Sequence, residues 1–115
     1  MTPEQTVIVQ RIRTLLADEP ELREVSMFGG RSIMVNGKMV VSVRKGGTLL
    51  VRVNTDQLEE YLERPEATKA LMGSGREMAP GWIEIAADAL SEGGPLSFWV
   101  GAAMDYNRFV ARGKP

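Results

Sequence analysis

The dipeptide Asn36-Gly37, set between Ile33-Met34-Val35 and Lys38-Met39-Val40-Val41, limits the folds open to this chain more than any other feature. A type I′ turn needs positive φ at both central positions, and asparagine and glycine tolerate it best, so the flanking runs are predicted to form a hairpin. Val35 and Lys38 then close the turn, with Met34 opposite Met39, Ile33 opposite Val40 and Ser32 opposite Val41. Gly46-Gly47 marks the next turn. A two-residue loop there would oppose Val41 to Arg52, whereas a three-residue Lys45-Gly46-Gly47 loop opposes Val41 to Val51 and Val43 to Leu49. The second is chosen because a slip of one residue turns a whole apolar row away from the core. With Gly29-Gly30 as a third break, the β-branched stretch from Leu22 to Val53 divides into four antiparallel strands. Alternation gives a core face of Met34, Met39, Val41, Val43, Leu49, Val51 and Val53. The opposite face carries Ile33, Val35, Lys38, Val40, Ser42, Arg44, Leu50 and Arg52, which is more apolar than a solvated face needs to be.

Helical signals flank this region. Thr2-Pro3-Glu4-Gln5 reads as a capping box with proline in the first turn, and Val7, Ile8, Ile12, Leu15 and Leu16 follow at helical spacing until Asp18-Glu19-Pro20. Asn54 and Gln57 cap a short helix bearing Leu58, Tyr61 and Leu62, which Arg64-Pro65 ends. Lys69 to Met72 and Gly81 to Ile85 read as two further strands joined by Gly73-Ser74-Gly75-Arg76. Ala86 to Leu90 suits one helical turn, and Gly93-Gly94-Pro95 separates it from a final helix carrying Leu96, Trp99, Val100, Ala103 and Val110. The order predicts one α+β domain over residues 1–115, with a mainly antiparallel sheet and helices on one face.

Composition removes several chemistries. The 115 residues include no cysteine and no histidine, so thiolate nucleophiles, disulfides and the usual general base near neutral pH are excluded. Fourteen basic against fifteen acidic residues leave a net charge of −1, with no basic stripe of the kind that grips nucleic acid. No leader-like segment and no apolar run long enough to span a bilayer is present, so a cytoplasmic location is expected. Asp56, Glu59, Glu60 and Glu63 read as the polar face of the short helix, and Ser26, Ser32, Ser42 and Ser74 have no base partner. No catalytic residues, metal site or cofactor are expected. Met27-Phe28-Gly29-Gly30-Arg31 lacks the spacing of a phosphate loop and reads as a glycine bulge or corner with Phe28 in the core. Four arginines, Arg31, Arg44, Arg52 and Arg76, lie in or beside the sheet and are the candidate ligand or partner contacts. The methionines read mainly as core fillers, with Met72 and Met78 as candidates for an adaptable interface.

The run Met27-Phe28-Gly29-Gly30-Arg31, then Val35-Asn36-Gly37-Lys38-Met39, Leu49-Leu50-Val51-Arg52-Val53, Gly75-Arg76-Glu77-Met78 before Gly81-Trp82, and Leu96-Ser97-Phe98-Trp99-Val100 together resemble the N-terminal domain of the TfoX (Sxy) regulators. The resemblance implies an α-β(3-4)-α-β(2)-α fold, similar to that of secretion chaperones. It also implies a link to natural competence through transcription, alongside the cyclic-AMP receptor protein, and supplies no catalytic residues. Longer members carry a second C-terminal domain, and this chain is expected to hold the first alone.

These features converge on a non-enzymatic regulatory or adaptor domain that binds a protein partner. Ile33, Val35, Val40 and Leu50 on the mixed sheet face are the expected interface, which could join two copies in a homodimer unless the short helix folds across it. Two alternatives are a sensor holding a small anion near Arg52 or Arg76, and a nucleic-acid-associated regulator using Arg31, Arg44 and Arg52.

Overall fold

A computed structural model describes residues 2–27, 30–70, 81–91 and 93–111. Helix α1 (Pro3–Leu15) begins where the sequence places it. The Thr2 hydroxyl accepts from the Gln5 amide, and the Gln5 carboxamide oxygen accepts from the Thr2 amide, closing the capping box. Four strands follow, β1 (Leu22–Met27), β2 (Gly30–Val35), β3 (Lys38–Val43) and β4 (Leu49–Arg52). A 3₁₀ turn at Thr55–Gln57, capped by Asn54, leads into α2 (Leu58–Leu62). Then come β5 (Ala67–Lys69), β6 (Trp82–Ile85), a second 3₁₀ turn at Ala87–Ser91, and the long helix α3 (Gly93–Ala111). Gly94 and Pro95 belong to the first turn of α3, where the missing proline donor costs nothing.

The strands form one antiparallel sheet in the order β1-β2-β3-β4-β6-β5. Both predicted turns are present. Asn36 and Gly37 have φ of 55° and 78°, as the type I′ hairpin requires. At the next turn Val41 pairs with Val51 and Val43 with Leu49 across the three-residue loop, in which Gly47 takes φ 88°.

One register differs from expectation. Met34 pairs with Met39 and Val35 with Lys38, but a bulge then makes Ile33 oppose Val41 and Ser32 oppose Ser42. The extra residue is Val40. In a bulge two successive residues oppose one and break the alternation, so Val40 and Val41 both join the core. The row containing Ile33 and Val35 consequently shares the face of Val41, Val43, Leu49 and Val51. Ile33, Val35 and Val40 are exposed by only 1%, 0% and 1%. These three interface candidates are core residues, and the mixed apolar face expected of the sheet does not exist in that form. Only Leu50 follows the other alternation, beside Ser42 and Glu84, and it too is buried. The expected strand from Lys69 to Met72 lies earlier, at Ala67–Lys69, and Leu71 and Met72 fall outside the described residues.

The helices cover the core face of the sheet. Ile8, Val9, Ile12 and Leu16 of α1 and its C-cap, together with Leu96, Trp99, Val100, Ala103 and Met104 of α3, meet the β-branched rows of β2, β3, β4 and β6. Asn107 fixes the far end of α3: its Nδ2 donates to the Val35 carbonyl at 2.9 Å, and its Oδ1 accepts from Asn36 Nδ2 at 3.1 Å. At the other end Gln5, buried under α1, donates from Nε2 to the Val43 carbonyl at 3.1 Å.

Candidate interaction surfaces

The large apolar side chains left exposed among the described residues sit on the helix layer. Val7 is 57% exposed, Leu15 44% and Phe98 38%. Positions 7, 11 and 15 recur every four residues, so Val7, Arg11 and Leu15 form one line along α1, apart from the buried line of Ile8, Ile12 and Leu16. Arg11, Thr14 and Leu15 of α1, with Leu96 and Ser97 of α3, line a shallow groove of about 250 Å³. Arg11 Nη1 donates to the Leu90 carbonyl at 2.6 Å, which ties the groove wall to the turn before α3. Helical spacing alone puts Val7 and Leu15 on the buried stripe and passes over Val9, which is fully buried. Arg11, midway between Val7 and Leu15, is the signal that this line faces water.

Across α3 from the groove lies an aromatic cluster. Phe98 and Trp99 meet edge to face with ring centroids 5.0 Å apart, and Tyr61 of α2 approaches them at 6.1 and 5.5 Å. The Arg64 guanidinium caps Phe98 at 3.9 Å. Glu66 Oε2 accepts from Trp99 Nε1 and from Arg64 Nε, each at 3.0 Å. Burial pushes the Glu66 carboxyl up, but hydrogen bonds from its own amide, Arg64 and Trp99 outweigh it, and the net shift is downward. Burial, followed by the charges of Asp105 and Glu60, pushes the Tyr61 phenol above its ordinary range. This cluster anchors α2 and β5 to α3, and Phe98 is its exposed member.

The described candidate arginines, Arg31, Arg44 and Arg52, do not converge. Arg31 pairs across the strands with Val43 and lies 3.7 Å from Glu24, which also accepts a two-pronged contact from Arg13 of α1. Arg44 makes an ion pair with Glu84 at 3.0 Å. Arg52 stands at the far end of β4, roughly 13 Å along the strand from the Arg44–Thr48 end at 3.3 Å per residue. Its guanidinium carbon is 5.3 Å from the Trp82 ring centroid and 5.5 Å from that of Tyr106. Arg76 lies outside the described residues, as do Phe28, Gly29, Met72 and Met78. Met27 pairs with Gly30 at the end of the β1–β2 ladder.

Among the described residues no group of three acidic, histidine or cysteine side chains could hold a metal, and no helix is long and apolar enough to cross a membrane. Fold and surface together define an open-sheet, two-layer α+β domain that keeps apolar side chains on its outer helix layer. The chain belongs to the TfoX N-terminal domain family, which matches residues 14–106. That family is of a regulatory type, associated with competence regulation, and is not a known enzyme family. No curated protein and no solved structure matches the chain.

Proposed function

We propose that this chain is a non-enzymatic regulatory domain that docks a protein partner, in the control of transcription or competence, through the outward side of α1 and α3. The observation that supports this reading most is the solvent exposure of Leu15, which lines the α1–α3 groove, of Val7 on the same line of α1 and of Phe98 across α3, in a domain whose other described large apolar side chains are buried or half-buried. Apolar side chains left exposed beside a polar-rimmed groove favour association, because covering them removes apolar area from water. The family's regulatory association points the same way. Neither the dispersed arginines nor the net charge favours nucleic acid as the partner.

The test is affinity capture from native cell extract, with the parent protein and a Val7→Lys, Leu15→Lys variant run side by side. Both positions are exposed, so the variant keeps its fold, checked by circular dichroism. A partner retained by the parent and lost from the folded variant supports the reading. Equal retention by both contradicts it.

A further inference from the structure

Arg52 differs from the other partly buried arginines of the sheet. Arg31 and Arg44 each face a glutamate, although Arg31 Nε, like Arg52 Nε, is buried without an acceptor. Among the described residues Arg52 makes ring contacts with Trp82 and Tyr106 and no ion pair, and its Nε is buried without an acceptor. The neighbouring backbone is shaped around it. Gly81 takes φ 99°, and a Cβ there would stand 3.4 Å from Arg52 Nε and 3.0 Å from the Val53 carbonyl oxygen. Two aromatic rings within about 6 Å hold a guanidinium through its faces and leave its N–H edge unsatisfied. The residue as a whole remains partly exposed, so a solute meets the terminal nitrogens and not the buried Nε.

We propose that Arg52, held beside the rings of Trp82 and Tyr106, is a receptor for an oxyanion, a carboxylate or a phosphate, bound through the terminal guanidinium nitrogens. A cation partly removed from water without a counter-charge is unfavourable, and a bidentate oxyanion supplies both the charge and the in-plane acceptors that the rings cannot. The rings hold the side chain in place beforehand, so little side-chain entropy is lost on binding. The site is separate from the α1–α3 groove and stands whether or not that groove docks a partner.

The test follows the Arg52 Nε–H resonance in 1H–15N spectra of the full chain. Sodium phosphate, sodium acetate and a glutamate-rich peptide are titrated in turn, with sodium chloride at matched ionic strength as the reference. A saturable shift absent with chloride is expected, weakened at least tenfold in Arg52→Lys, where the charge persists but the planar fork is lost, and unchanged in Arg23→Gln. For the variants, resonances near Trp82 report the same titration. Saturation by phosphate or acetate assigns a small free anion, and saturation by the peptide alone assigns an acidic side chain of a protein. No saturable response to any of the three, or an undiminished response in folded Arg52→Lys, overturns the proposal.

Discussion

Gly81 and Asn107 show how single atoms set the spacing between strands and helix. At Gly81 the positive φ and the 3.0 Å approach to the Val53 carbonyl leave no room for a methyl group. Gly81→Ala should therefore lower stability by more than about 1 kcal/mol, seen as a drop of several degrees in the melting temperature. Asn107→Leu leaves the Val35 carbonyl buried without its donor and should cost about 1–3 kcal/mol in urea unfolding. Glu24 sets an acid limit. The hydrogen bond from Arg13 holds its carboxyl below the ordinary range, partial burial opposes this by less, and the charges of Arg13 and Arg31 add to the lowering. A carboxyl with a depressed folded-state pKa contributes stability that is full above its unfolded pKa and is lost as pH falls through the folded one. Glu24→Gln should thus reduce stability at neutral pH and flatten its loss below the usual carboxylate range, as followed by melts across pH. Asn36 and Gly37 are readable from sequence because a type I′ turn acts through its own two residues. Asn107 is not, since its role depends on which side of α3 meets the hairpin 71 residues earlier, counted from its bond to Asn36.

Turn chemistry carries the element-level expectations furthest. The three-residue loop is legible because only that length keeps Val41, Val43, Leu49 and Val51 on one side, and β3 and β4 pair accordingly. The β2–β3 register is legible only as far as Met34 and Met39, because a bulge inserts a residue without any glycine or proline to announce it. What drives it is visible only in three dimensions: the insertion buries two adjacent valines and brings Ser32 and Ser42 together, with hydroxyls 3.2 Å apart. The interface expected from regular alternation therefore reverses into a statement about folding. Val40→Lys places an unpaired ammonium in the core and should destabilise by several kcal/mol, with loss of cooperative thermal unfolding. A folded Val40→Lys protein would contradict the bulge. On α1, five apolar residues at loosely helical spacing do not by themselves separate the buried line from the exposed one; the sheet beneath decides, and it takes Val9 in place of Val7 and Leu15.

At the scale of the whole molecule, the α-β4-α-β2-α order and the helix layer on one side of the sheet are readable because antiparallel strands with short turns leave few ways to arrange them. The surface is less so. Sequence identifies arginines as contacts but not their distribution, which ion pairs at Glu24 and Glu84 and the rings around Arg52 determine. The exposed apolar side chains of the helix layer emerge only from burial, and they make the helix side the proposed docking surface. Amide hydrogen exchange of the protein, alone and saturated with the partner that it captures, tests this most directly. New protection should concentrate in α1 and the first half of α3, around Leu15 and Phe98, with β1 and the sheet unchanged. Protection confined to β1 or to the strands around Leu50, with α1 and α3 exchanging as in the free protein, would contradict it.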